Sequence, residues 1–130
     1  MPFTKSYIWV HIIFSTKDRT PFLTWNIRTE VCAWIKQQAV EKEFHIDIIN
    51  GVKDHLHILV KLKTKQSASE VVKWAKGASS HYLNKNYNWN PQFAWQKGYA
   101  VYSVGERDID KIRNYIYNQE RRHSNIRTDS

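Results

Sequence analysis

Asp54-His55-Leu56-His57-Ile58-Leu59-Val60 is the stretch around which the rest of this chain can be arranged. In a strand, residues two apart share a face. His55 and His57 then stand side by side, while Leu56, Ile58, Val60 and Leu62 point the other way. Paired imidazoles on a strand anchored by its opposite face can hold a metal ion with open coordination positions. The same pattern also suits two polar residues on the wet side of a sheet, and the triplet alone does not separate the two.

Just upstream, residues 44–50 alternate, which predicts a strand with Phe44, Ile46 and Ile48 on one face. Residues 51–53 read as a turn, so this strand and the histidine strand, about 54–63, form an antiparallel hairpin. Residues 7–16 predict an earlier strand, with Ile8, Val10, Ile12 and Phe14 alternating against Tyr7, Trp9, His11 and Ser15. If it neighbours the histidine strand, His11 lies near the pair; a solvated or otherwise satisfied histidine is the alternative. Lys17-Asp18-Arg19-Thr20-Pro21 is a polar loop whose cations suit phosphates or solvent alike. Thr24 or Asn26 can cap a helix to about residue 43, with Ile27, Val31, Trp34 and Ile35 as its buried stripe.

Downstream, Ser67 and Glu70 form a capping-box pattern that opens a helix to about residue 85. Val71, Val72, Ala75, Ala78, Tyr82 and Leu83 make its apolar side, and Lys73, Lys76 and Lys85 lie off it. Residues 93–95 and 99–104 read as two short strands around Gln96-Lys97-Gly98. Asp108 can cap a last helix to about residue 122, with Ile109, Ile112 and Ile116 at the spacing that packs on a sheet. The order is strand, helix, strand, strand, helix, strand, helix. This is an α+β, ferredoxin-like or RRM-like antiparallel sheet with an added C-terminal helix.

The 130 residues suit one domain with a frayed tail over 124–130. Hydrophobic residues at 42% and aromatics at 14% supply a core, including six tryptophans that should be at least partly buried. A single cysteine, Cys32, excludes an intramolecular disulfide and a cysteine-based zinc cage, and reads as a small apolar filler. No apolar run is long enough for a membrane span, and the N-terminus lacks a signal-peptide core, so a cytoplasmic protein is expected. The formal charge of +8 suits a polyanionic partner, most often nucleic acid.

In the last helix Tyr115 and Gln119 are four apart and share a face, with Arg121, Arg122 and His123 following. A tyrosine hydroxyl held over a metal can attack a phosphodiester, and a glutamine oxygen one turn along can complete the metal shell. An ordinary core-edge tyrosine is the other reading of Tyr115. Tyr117 lies on a different helical face.

His55-Leu56-His57, combined with Tyr115-Ile116-Tyr117-Asn118-Gln119, resembles the HUH single-strand DNA transposases that use one catalytic tyrosine, the insertion-sequence enzymes and their REP-associated relatives. Phe14-Ser15-Thr16-Lys17-Asp18-Arg19 resembles that family's first strand and basic turn, and Asp54 precedes the histidine pair as it often does there. Lys76-Gly77-Ala78-Ser79-Ser80 resembles its second helix. Trp95-Gln96-Lys97-Gly98-Tyr99 with Ser103-Val104 resembles the segment before the tyrosine helix. The likeness runs over about residues 7–123. It implies that His55, His57 and Gln119 bind a divalent metal, Mg²⁺ or Mn²⁺, and that Tyr115 attacks a single-stranded DNA phosphate to give a 5′-phosphotyrosine and a free 3′-hydroxyl. It further implies hairpin-bearing element ends as substrate and a homodimer with composite sites, the protein being nucleoid-associated when bound to DNA. Neutral imidazoles are needed for metal binding, so activity should fall in acid. Thr20 stands where the family often has another charge, and the chain ends soon after Gln119, whereas many relatives continue.

Lys17, Arg19, Lys73, Lys76, Arg121 and Arg122 are candidates for phosphate contacts. Trp89, Trp95 and Tyr99 suit base stacking, although core or dimer packing is the better reading for at least two of them. The main rival function is a catalytically silent single-stranded nucleic-acid binder, because Lys97-Gly98-Tyr99-Ala100-Val101-Tyr102 partly matches an RRM stacking motif. A helical His-Glu-x-x-His protease motif is absent.

Overall fold

The computed structural model describes residues 4–119. Its elements in chain order are β1 (Ile8–Ser15), a 3₁₀ turn (Lys17–Arg19), α1 (Trp25–Glu41), β2 (His45–Val52), β3 (His55–Leu62), α2 (Ala68–Asn86), β4 (Ala100–Val104), a second 3₁₀ turn (Glu106–Asp108) and α3 (Ile109–Tyr117). The four strands form one antiparallel sheet in the order β2-β3-β1-β4. This is the ferredoxin-like arrangement expected from the element order.

The alternation in β1 and β3 sends two sets of side chains to opposite faces. On one face Val10, Ile12 and Phe14 meet Leu56, Ile58 and Val60, and are covered by Val31, Ile35 and Ala39 of α1 and Val71, Val72, Ala75 and Leu83 of α2. On the other face a smaller cluster joins Leu59 and Val104 to Ile116 of α3, flanked by Trp9, Ile48, Ile109 and Ile112. The sheet is thus sandwiched between α1 and α2 on one side and α3 on the other. The capping box opening α2 is present: the Ser67 hydroxyl accepts from Glu70 N at 3.1 Å, and Ser67 N donates to the Glu70 carboxylate at 3.1 Å.

Several expectations need correction. Phe44, Ile46 and Ile48 do not share a face. A β-bulge between Ile46 and Ile48 shifts the register, so Ile46 pairs with Val60 on the helix-covered face while Ile48 pairs with Leu59 on the α3 face. The strand then continues through Gly51 and Val52, shortening the expected turn. Residues 93–95 are no strand; only an isolated bridge joins Thr16 to Trp95. Asn84 of α2 explains this, because its side chain accepts from Phe93 N at 2.8 Å and donates to Phe93 O at 3.0 Å, taking the place of a neighbouring strand. Thr24 and Asp108 occupy N-cap positions without a side-chain capping bond.

The last helix does not run unbroken towards residue 122. α3 ends at Tyr117 and Asn118 caps it, its side-chain and backbone N–H groups both reaching Asn114 O, at 2.8 and 3.0 Å. Arg121, Arg122, His123 and the tail expected to fray lie outside the described residues.

Candidate active site

The histidine face is assembled by strand register. His57 pairs with Ile13 of β1 and with Asn50 of β2, which places it between two strands beneath α3. His55 lies two residues earlier on the same face, and the two imidazole centroids are 5.2 Å apart. His55 is partly accessible and His57 is buried.

Each imidazole has its Nδ1 engaged within the protein. His55 Nδ1 lies 2.7 Å from Asp54 Oδ1. A carboxylate only accepts, so this contact requires the proton on Nδ1 and leaves Nε2 with its lone pair. Arg19 stands beside the pair, its guanidinium 3.6 Å from Asp54 Oδ1 and 3.4 Å from His55 Nδ1. With Nδ1 protonated, the carboxylate is the partner that Arg19 can use. His57 Nδ1 lies 2.9 Å from His11 Nε2. His11 is buried too, and burial lowers its pKa from the ordinary histidine value.

The Arg19 turn is held against backbone strain. Asp18 and Arg19 both have positive φ, 55° and 56°, a conformation that disfavours residues with a Cβ. Neighbouring bonds secure it: Lys17 N donates to Ala94 O at 2.9 Å, Asp18 N to Gln96 Oε1 at 3.1 Å, and the Thr16 hydroxyl to Thr20 O at 2.7 Å. The result places Arg19 next to His55, while Lys17 faces solvent.

Tyr115 comes from the opposite side. Its ring meets His57 edge-on at 5.7 Å between centroids and His11 at 6.1 Å. It is 37% exposed, whereas Tyr117 is 71% exposed. Gln119 is buried at 2% exposure, and its Nε2 donates back to Tyr115 O at 3.2 Å, which leaves Oε1 as an acceptor. Two features that sequence periodicity could not supply fix α3 in place. Asn50 Nδ2 donates to Ile116 O and Tyr117 O, both at 3.1 Å. Arg113 grips Asp47, the residue at the bulge, through Nε at 2.7 Å and NH2 at 3.1 Å, and also reaches Asp110. The bulge puts Asn50 on the same face as His57, where it can reach the end of α3.

Among the described residues no three His, Cys, Asp or Glu side chains are arranged to hold a metal. A protein shell on this face therefore needs a donor of another kind. The Nε2 of His55, backed by a carboxylate on Nδ1, has the arrangement common to metal-ligating histidines. Should a divalent ion bind at this face, the imidazole nitrogens of His55 and His57 and the amide oxygen of Gln119 are donors of the kind it would take.

The other candidates have varied surroundings. Lys76 sits on α2, and its ammonium donates to Gln96 O at 2.8 Å and Gly98 O at 2.6 Å, so it fastens the segment leading to β4. Lys73 lines a shallow groove with Lys42, Phe44 and Trp74, away from the histidine face. Trp95 packs edge-on against Phe14 at 4.7 Å and donates its indole N–H to the Ser79 hydroxyl at 2.9 Å. Trp89 packs on Phe22 and Tyr87. Both tryptophans belong to the core packing, and Tyr99 is exposed.

Residues 4–119 match the family model described as IS200-like transposase. The transposase of insertion sequence element IS200 from Salmonella typhimurium is 30% identical over 115 residues, covering 84% of this chain and 74% of that protein. Solved structures share the fold, among them the following two. One is a transposase candidate from Deinococcus radiodurans R1 (TM-score 0.72, 22% identity, 92% of this chain and 96% of that one). The other is a REP-associated tyrosine transposase bound to a REP hairpin (TM-score 0.68, 15% identity, 95% of this chain and 74% of that one). With the match spanning the sheet, the histidine strand and the tyrosine helix, this chain belongs to the IS200-like transposase family.

Proposed function

We propose that this transposase cleaves and rejoins single-stranded DNA through Tyr115, with a divalent ion, Mg²⁺ or Mn²⁺, held by His55, His57 and Gln119. The observation that carries the reading is the edge-on contact of Tyr115 with His57, 5.7 Å between centroids, with His55 5.2 Å from His57. The bound ion would polarise a phosphate oxygen and ease departure of the leaving oxygen.

The rest is done by the chain's own groups. The Tyr115 oxygen bonds to phosphorus and its proton passes to solvent. The P–O3′ bond breaks, and the departing O3′ takes a proton to become a free 3′-hydroxyl. The phosphorus stays attached to the downstream strand as a 5′-phosphotyrosine. A 3′-hydroxyl from another strand can then attack the same phosphorus and expel Tyr115, so joining needs no external energy source. Asn50 and the Asp47–Arg113 pair hold α3 over the histidines, and Arg19 lies where a phosphate approaching His55 would meet a cation.

The substrate read here is a single strand with hairpin-bearing ends, in keeping with the hairpin bound to the REP-associated neighbour. Lys17, Arg19, Lys73, Lys76, Arg121 and Arg122 are its candidate phosphate contacts. Replacing a true contact with alanine should weaken binding and flatten its salt dependence. A silent RRM-like binder fits less well. α3 covers part of the sheet surface that such a domain uses to stack bases, through Ile116 against Leu59 and Val104. No described helix is long and apolar enough to cross a membrane.

The test is a covalent-adduct assay on labelled single-stranded and duplex DNA, with Mn²⁺ or EDTA. An adduct formed only on single strands and only with metal, lost in Tyr115→Phe and kept in Tyr117→Phe, supports the reading. Tight binding without any adduct would replace it with the silent binder. Mixing Tyr115→Phe with His57→Ala tests the proposed homodimer: recovered adduct means that sites are shared between subunits, and none means that each chain works with its own tyrosine.

A further inference from the structure

We propose that His11 is a positioning residue: its Nε2 accepts a hydrogen bond from the Nδ1–H of His57 and holds His57 in the tautomer whose Nε2 carries no proton. The inference rests on His57 being a metal ligand, and it assigns the device that prepares that ligand.

The geometry carries it. The two nitrogens are 2.9 Å apart. The ring planes differ by 28° and the centroids are 5.1 Å apart. That separation is what a 2.9 Å nitrogen–nitrogen contact produces when two imidazoles lie nearly end to end, so this is an in-plane hydrogen bond and not face stacking. His11 pairs in register with Leu59 of β3 and Tyr102 of β4, so it reaches His57 diagonally across the sheet. The rings of Tyr102 and Tyr115, each 6.1 Å away, limit its rotation.

The two histidines of the pair are prepared differently. The partner of His55 is a carboxylate, which can only accept and therefore fixes the tautomer by itself. The partner of His57 is another imidazole, and the bond can run either way. Only one direction leaves His57 Nε2 free of a proton and able to bind a cation without rearrangement: His57 donates, and His11 carries its own proton on Nδ1. At 6% and 3% exposure, His11 and His57 are too enclosed for water to replace the partner readily. An unconstrained neutral imidazole in water favours the opposite tautomer, with the proton on Nε2. His11 therefore does for His57 what Asp54 does for His55, using a neutral group.

The experiment uses the full chain, metal-free and labelled with ¹⁵N in the imidazoles, in wild type, His11→Phe and His11→Gln. Long-range ¹H–¹⁵N spectra report the tautomer of His57, and electron paramagnetic resonance titration with Mn²⁺ reports affinity. The expected result is an Nδ1–H tautomer in wild type. In His11→Phe the proton moves to Nε2 and Mn²⁺ affinity falls by about 10- to 100-fold. In His11→Gln, whose amide oxygen can accept, the tautomer is kept and affinity is restored to within a few-fold of wild type. An Nε2–H tautomer in the wild type overturns the proposal, even if neither variant folds. So does a His11→Phe protein with the wild-type tautomer and affinity. A wild type that binds no Mn²⁺ removes the metal reading, and the tautomer spectra still decide the role of His11.

Discussion

Gly51 is where the histidine strand is most sensitive to a single added carbon. It pairs with Leu56 across the β2–β3 ladder, and a Cβ there would lie 2.1 Å from His55 O and 2.9 Å from both Leu56 Cα and Leu56 Cδ2. Two of those atoms are backbone and cannot rotate aside. Ordinary non-bonded separations are about 3.5 Å, so Gly51→Ala must push β3 away by about 1 Å. Overpacking of this kind destabilises by about 1–3 kcal/mol, and the backbone clash puts this variant at the upper end. A loss of about 3 kcal/mol should lower Tm by on the order of 10 °C in a chain of this size. The displaced residue is His55, and about 1 Å of misplacement at a reacting site can reduce rate by about 100-fold. Gly77→Ala is the control. It lies inside α2 with nothing within 4 Å of an added Cβ, so it should gain up to about 1 kcal/mol in helix propensity. Thermal unfolding and single-turnover adduct formation measured on both variants make the comparison. A Gly51→Ala protein as stable and as active as wild type would show that β2 and β3 are not this close at His55, and the argument would fail.

Asn50→Ala removes both hydrogen bonds to the end of α3; it should cost about 1–2 kcal/mol in urea unfolding, slow adduct formation, and weaken Mn²⁺ binding as well, because Gln119 follows the same helix end. Wild-type rate and affinity in a destabilised variant would mean that Asn50 does not position the tyrosine helix. Burial pushes the Cys32 thiol up to about 12, so Ellman's reagent at mildly alkaline pH should find it silent until urea unfolds the protein. Rapid labelling of the native protein would contradict its burial. Glu30 accepts from the hydroxyls of Tyr82 and Tyr87, both at 2.6 Å, and these hold its carboxyl below the ordinary 4.5. A depressed carboxyl stabilises the fold above its unfolded pKa, and that contribution fades as pH drops through the lower folded value. Acid titration followed by circular dichroism should therefore show a shallower decline below pH 4.5 for Glu30→Gln. An unchanged curve would remove the pair as a source of acid sensitivity.

Sequence periodicity was enough for the sheet's central strands and for the side on which each residue stands. Alternation in β1 and β3 requires one apolar face, and the histidines, at odd-numbered positions between even-numbered aliphatics, have to occupy the other. The isoleucines of α3 required that helix to lie on a sheet, and the Ser67–Glu70 pair marked the start of α2 because a capping box is a local interaction between neighbours in sequence. The candidate ligands His55, His57 and Gln119 and the candidate nucleophile Tyr115 were likewise visible as residue types at fixed spacing. Features that depend on residues far apart in the chain were not. The bulge at Asp47 is invisible to an alternating pattern, because one extra residue reverses every face after it. Without that reversal Asn50 would point into the core and could not reach α3. The break at Asn118 depends on an asparagine turning back to Asn114, which competes locally with helix continuation and has no periodic signature. Asn84 replaces a strand partner for Phe93 from another element. The bond between His11 and His57 needs β1 beside β3 in one particular register, a matter of tertiary pairing across 46 residues of sequence. The sequence by itself determined which chemical groups this protein carries and which face of a strand or helix presents them, since both follow from local backbone geometry. Their approach to one another, and the hydrogen bond between His11 and His57, were decided only by tertiary structure, because register and helix placement are set by packing among distant segments.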